Sequence, residues 1–185
     1  FVNLAMAGLV MSTVCARFVF PAVSAEGAAF WIIRTAPVSL RSFLWSKFWT
    51  GFVPVFLLTE VLTVAANYLL GVDPFLRVVS AIAVFFMSLA LVGLATGLGA
   101  RYPRFNADNP SQVAGSYGGV AFMIMAVLFM ITLIALIGWP SSARIGIPGH
   151  VQLIGTLCFA GALAMSLSTW WYGMRSGVQA LEDMG

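Results

Sequence analysis

Ionisable residues are scarce in this chain, so their positions decide what chemistry it could do. Of 185 residues, 9 are Lys or Arg, 6 are Asp or Glu and 1 is His. Glu60 stands inside a long apolar run, and Thr63 and Asn67 follow it at i+3 and i+7. On a helix the three share one face. That face reads in two ways: a polar lining for a translocation path or proton-linked site, or an interhelical hydrogen-bonded patch. His150 has no second His, Cys or carboxylate near it in sequence, so no metal site is expected there. Asp108 and Asn109 suit a helix cap and are too few for a metal. No Ser/His/Asp or Cys/His arrangement supports nucleophilic catalysis. Gly115, Gly118 and Gly119 lack the Lys-Ser/Thr of a phosphate-cradling loop. No cofactor is expected. Cys15 and Cys158 lie in apolar runs and read as small core residues, not as a disulfide framework.

The densest group of polar and aromatic residues is Ser24–Lys47, SAEGAAFWIIRTAPVSLRSFLWSK. Ser24 can cap a helix, and Glu26 in the first turn suits its dipole. Pro37 stops that helix, since the residue before a proline is pushed out of the helical region. Ser39 can cap a second helix. Arg41, Phe43, Leu44, Trp45 and Lys47 place charge and aromatic anchors at a membrane surface. The pattern predicts a short helix over Ser24–Arg34, a proline elbow, and a helix entering the bilayer. Glu26 and Arg34 are then about two turns apart and can project from one face. The plainer alternative is an interfacial amphipathic elbow without a partner.

The elements that must hold these residues follow from composition. Hydrophobic residues make up 61% of the chain and charged residues 8%, far from the roughly 25% charged of a soluble domain. This excludes a soluble globular enzyme, a nucleic-acid-binding domain and a disordered tail. A membrane-crossing helix needs about 20 apolar residues, and five runs qualify: Phe1–Ala22, Phe48–Leu70, Arg77–Ala100, Ser116–Trp139 and Val151–Tyr172. The expected fold is all-α, a polytopic bundle of five transmembrane helices with a short cytoplasmic helix in the 23–47 segment. The whole of 1–185 is expected to be one transmembrane domain. It opens inside an apolar stretch, and we read it as part of a longer chain.

Arg17, Arg34, Arg41, Lys47, Arg101, Arg104 and Arg175 fall on one side of this arrangement, Arg77 and Arg144 on the other. The bias puts the first group in the cytoplasm, with the N-terminus outside and the C-terminus inside a cell membrane. Arg17 is expected to snorkel to headgroups. Trp139, Trp170, Trp171 and Tyr172 are expected at the interfaces, and Pro54 is expected to kink the second span. Gly93 with Gly97, and Ala160 with Ala164 beside Gly161, are small-xxx-small pairs that suit close helix packing.

The order of residues in 24–47 resembles the permeases of type 2 ABC exporters, where such a stretch forms a coupling helix docked on a separate ATPase subunit. The residues that carry the likeness are Glu26, Gly27, Trp31, Thr35, Pro37, Ser39 and Lys47. The family usually shows a second acid and a Gly-Lys pair; here one acid and Ser46-Lys47 stand. Tyr102-Pro103-Arg104-Phe105 and Asn109-Pro110 extend the likeness to bacterial ABC exporter membrane proteins. The resemblance implies a C-terminal permease fragment without a catalytic site of its own. It also implies a dimer of permease halves and ATPase coupling through Glu26, Gly27, Trp31, Arg34, Pro37, Ser39 and Lys47. An ion-coupled secondary transporter and a membrane scaffold are the alternatives. The second polar connection, Arg101–Gly115, is either a further ATPase contact or a solvated loop.

Overall fold

The computed structural model describes residues 2–35, 39–105, 109–143 and 150–183. Among them every regular element is a helix. In chain order these are α1 (Val2–Val14), α2 (Phe30–Thr35), α3 (Leu40–Leu69), α4 (Pro74–Arg101), α5 (Pro110–Ala114), α6 (Tyr117–Ala143) and α7 (His150–Asp183). Four stretches are long and apolar enough to cross a membrane: Val2–Gly27, Leu40–Leu69, Pro74–Arg101 and Tyr117–Gly138. These four are counted among the described residues, and the side chains that open α7, at 150–154, lie outside them.

The first stretch stays helical past Ala22. A π turn at Cys15–Val19 is followed by 3-10 turns at Phe20–Ala22 and Ser24–Ala29. Pro21 has no N–H for the Arg17 carbonyl, and a π turn just before it widens the helix around the proline ring. Val23 keeps helical angles and holds the N-cap position of the Ser24–Ala29 turn, so Ser24 is its first residue and not its cap. The break comes at Gly27, with φ 51 and ψ −132. This corrects the single helix expected over Ser24–Arg34. Pro37 lies outside the described residues, as do the side chains of Trp31, Arg34, Trp139 and His150.

Ser39 caps α3, its hydroxyl accepting from the Ser42 N–H at 3.2 Å. The helix has 30 residues, about 45 Å at 1.5 Å per residue, so it outruns a hydrocarbon layer of about 30 Å. It runs through Pro54 as one element, and the proline sits exposed on its surface. At its far end Gly71 takes φ 60. There Val72 N–H bonds to the Asn67 carbonyl at 3.1 Å and Gly71 N–H to that of Tyr68 at 3.2 Å. This paired 6→1 and 5→2 closure satisfies the last carbonyls. Asp73 then caps α4 by accepting from Phe75 N–H at 3.1 Å, with Pro74 in the first turn.

Helix α4 is the centre of the bundle. Every residue from Ala90 to Ala100 is buried, as befits a helix apolar on all sides. Its closest neighbour is α7, which runs parallel to it. A Cβ placed on Gly93 would stand 2.6 Å from Cδ1 of Trp170, and one on Gly97 would run into the Gly173 carbonyl. On α7, a Cβ at Gly173 would meet the Gly93 oxygen at 2.7 Å, and one at Gly177 would meet Gly97 Cα at 2.8 Å. The Gly93–Gly97 pair therefore works against a matching Gly173–Gly177 pair. Among the described residues the other candidate pair does not pack: Ala160 and Ala164 are exposed, and no described atom lies within 4 Å of a Cβ on Gly161.

Trp170 is likewise packed inside. Its ring meets Trp45 at 5.9 Å and Phe48 at 6.3 Å between centroids, while Trp171 and Tyr172 are exposed. Contact with Gly93 turns Trp170 toward the neighbouring helices. These contacts yield a contrast. Gly97→Ala should destabilise the bundle by about 1–3 kcal/mol, the usual range for overpacking. Gly161→Ala should be neutral or stabilising by up to about 1 kcal/mol, since alanine favours helix over glycine. Reversible denaturation in mixed detergent micelles checks both.

Candidate functional site: the elbow and the polar stripe

The two polar connections meet at one end of the bundle. The Ser24 hydroxyl accepts the Arg104 backbone N–H at 3.0 Å. Phe30, buried at the start of α2, stacks on Phe105 with centroids 4.7 Å apart and meets Phe43 edge-on at 6.1 Å. A Cβ on Gly27 would sit 3.6 Å from the Phe105 carbonyl, so space is not what selects glycine there. The positive φ selects it, because L side chains clash in that region. Lys47 forms an ion pair with Glu26, and its Nζ lies 5.5 Å from the Phe43 ring centroid. Residues 24–30, 43–47 and 104–105 thus form one elbow.

Glu26 and Lys47 were expected to face a partner, yet each takes the other, with about a quarter of each side chain exposed. Ser39 caps α3. Phe30, Phe43 and Phe105 were not singled out in the sequence; the signal was an aromatic residue in each polar connection.

At the opposite end a directed chain of hydrogen bonds crosses three helices. Asn3 Nδ2 donates to Asn67 Oδ1 at 2.8 Å, Asn67 Nδ2 to Ser80 Oγ at 2.6 Å, and Ser80 Oγ to the Arg77 carbonyl at 2.9 Å. Thr59, Thr63 and Asn67 are all buried along one stripe of α3. Thr59 donates to the Val55 carbonyl at 2.7 Å, and Thr63 Oγ1 has no partner among the described residues. Glu60 lies one residue round the helix from Thr59, at the edge of the stripe. It is half-buried, with Oε2 enclosed and without a partner among the described residues. It borders an open groove with Val61, Val64 and Tyr68. Helical spacing brought Thr63 and Asn67 together, and the bundle set Glu60 apart from them. Asn3 and Ser80 were missed; a lone polar residue within each apolar run was their signal.

A nucleotide cradle is not formed by these residues. Gly118 and Gly119 are buried, and Cβ atoms there would meet Tyr102 and the Ala114 carbonyl, so these glycines serve close packing. The N–H groups of Gly119 and Val120 are taken by the Ser116 hydroxyl and carbonyl.

Two substitutions test the site. Glu26→Lys should cost about 0.2–1 kcal/mol, the range for a partly exposed pair, and Glu26→Lys with Lys47→Glu should restore most of it. Asn67→Ala should cost about 1–3 kcal/mol by stripping the partners from Asn3 and Ser80. Both are read from denaturation midpoints in micelles.

A family model described as "Putative ATP-binding cassette" matches residues 1–185. No curated protein and no solved structure matches the chain. The description names the ATP-binding cassette, and this overturns the permease subunit of an exporter drawn from residues 24–47. It equally overturns a chain without catalysis of its own, and it supports neither the ion-coupled transporter nor the scaffold. The physical reason is local: Glu26, Lys47 and Ser39, which carried the likeness, are engaged in holding the elbow together. What the match does establish is an association with ABC transporter components, in a chain whose helices are long and apolar enough to cross a membrane. Since the match runs over 1–185, the chain belongs to that ATP-binding cassette family.

Proposed function

We propose that this chain is a membrane-embedded component of an ATP-binding cassette system, and that the elbow is where nucleotide-driven movement reaches its helices. The elbow end faces the cytoplasm of a cell membrane, and α7 serves as a fifth crossing helix alongside α4. Two features support this orientation. Arg41, Lys47, Arg101 and Arg104 gather at the elbow end. Arg175 joins them, because neighbouring Gly177 lies against Leu44 and Gly97.

The observation that carries the reading is the coupling of two connections through one hinge. Gly27 reverses the backbone, and Phe30 ties the following helix to Phe105 and Phe43. The start of α2, the start of α3 and the connection after α4 therefore meet at one aromatic contact. A push on this elbow is passed to α3 and α4 together. Helix α2 is the segment offered to an ATP-binding component, with Trp31 and Arg34 as candidate contacts.

The test uses the assembled system in proteoliposomes. Gly27→Val and Phe105→Ala should lower the coupling of ATP hydrolysis to the helices by about tenfold or more, corresponding to about 1.4 kcal/mol, while insertion is retained. Coupling is read as the change in Trp fluorescence of the helices on adding ATP. Wild-type response in both variants would refute the role of the elbow.

A further inference from the structure

We infer that Arg101, Tyr102 and Tyr117 form a headgroup site for an anionic phospholipid in the leaflet at the elbow end. A glycine brings the three together. Helix α4 ends at Arg101, and Tyr102 follows as its C-cap, donating its N–H to the Leu98 carbonyl at 3.0 Å. Helix α6 begins at Tyr117. A Cβ on Gly118 would stand 2.6 Å from that of Tyr102, so Tyr102 lies directly on the first turn of α6. Its ring meets Tyr117 edge-on with centroids 5.8 Å apart, and the Arg101 guanidinium carbon is 5.9 Å from the centroid of the same ring. Arg101 is exposed, and Tyr102 and Tyr117 are 37% and 76% exposed.

The chemistry of this group selects an anion. A guanidinium presents paired N–H donors that match a phosphate, and the two phenols add O–H donors. The first turn of α6, a helix of 27 residues, places partial positive charge beside Tyr117. A quaternary ammonium approaching Tyr102 would meet Arg101 beside the same ring, so the choline end of a zwitterionic lipid is repelled.

The placement selects a lipid as the source of the anion. Arg101 closes one stretch long and apolar enough to cross a membrane, Pro74–Arg101, and Tyr117 opens another, Tyr117–Gly138. Both stand at one boundary between headgroups and hydrocarbon, where tyrosine is favoured. From Tyr117 an exposed apolar stripe runs along α6 through Val120, Ile124, Leu128 and Ile131, at spacings of three and four that keep one helix face. At 1.5 Å per residue it covers about 21 Å, more than the roughly 15 Å of hydrocarbon in one leaflet. An acyl chain laid on this stripe starts at the three polar side chains, so one phospholipid uses both.

The inference rests on the reading that these helices cross a membrane, and not on the role of the elbow. The full chain is placed in nanodiscs of phosphatidylcholine with a minor share of phosphatidylglycerol, and the lipids it retains are counted by native mass spectrometry. Phosphatidylglycerol should be enriched about tenfold over its share of the disc, corresponding to about 1.4 kcal/mol. Arg101→Gln should remove most of that enrichment, as expected for a lost charge-assisted bond. Tyr102→Phe with Tyr117→Phe keeps both rings and should lower it about fivefold. Arg41→Gln, which removes an exposed charge at the start of α3, should leave it nearly unchanged. Helical content by circular dichroism should be the same throughout. Equal losses for Arg41→Gln and Arg101→Gln would mean a diffuse basic surface and overturn the site, and so would equal retention of the two lipids. Displacement of the retained lipid by soluble glycerol phosphate would give the site to a free phosphate and overturn the lipid. These outcomes leave the membrane reading intact, whereas release of the chain from vesicles by alkaline extraction would overturn both.

Discussion

The backbone-to-backbone approach of α4 and α7 is the constraint on which the rest of the bundle depends. Lipid tails are as apolar as leucine, so helices in a bilayer gain little from hiding leucine from them. They associate through close packing, and that requires small residues where backbones touch. Gly93 and Gly97 on α4 meet Gly173 and Gly177 on α7 at such a place. With α7 drawn in, Trp170 lies over Gly93 and becomes the partner of Trp45 and Phe48. The same approach brings Gly177 to Leu44 at the start of α3. One glycine contact thereby sets the aromatic layer and the position of the elbow's base.

At the elbow, polarity and strain are arranged around a fixed point. Gly27 carries a backbone conformation that other residues adopt at a cost. The groups around it are satisfied by one another: Ser24 by the Arg104 amide, Glu26 by Lys47, Phe30 by two rings. An ion pair of this exposure contributes little by itself. Its value lies in fixing where the chain turns between α1 and α3.

Polar groups at the other end obey a stricter rule. An amide within an apolar bundle must find partners, because the alternative is an unsatisfied group out of water. Asn67 uses both ends of its amide, toward Asn3 and Ser80, and so ties α3 to α1 and α4. Glu60 differs, with one enclosed oxygen lacking a partner among the described residues. On the helix position 60 is turned only about 20° from 67 and about 100° from 59. It therefore lies on the Asn67 side of the stripe, and the packing of the neighbouring helices leaves it half-buried.

By itself the sequence determined the class of structure. Apolar runs of some twenty residues in a chain with few charges can only be membrane-length helices, and Ser39 marked where α3 begins. Helical spacing also placed Thr63 and Asn67 together, because that relation is local. The tertiary structure decided everything that depended on which helix lies next to which. Of two small-residue pairs with the same spacing, it put Gly93–Gly97 in contact and left Ala160–Ala164 exposed. It paired Glu26 with Lys47, which the sequence had set side by side only as two charges for a partner. It ran the first helix on to Gly27, and it brought Phe30 onto Phe105 across the two connections. Local periodicity fixes the face of a helix; the identity of the neighbour on that face is a property of the whole packed bundle.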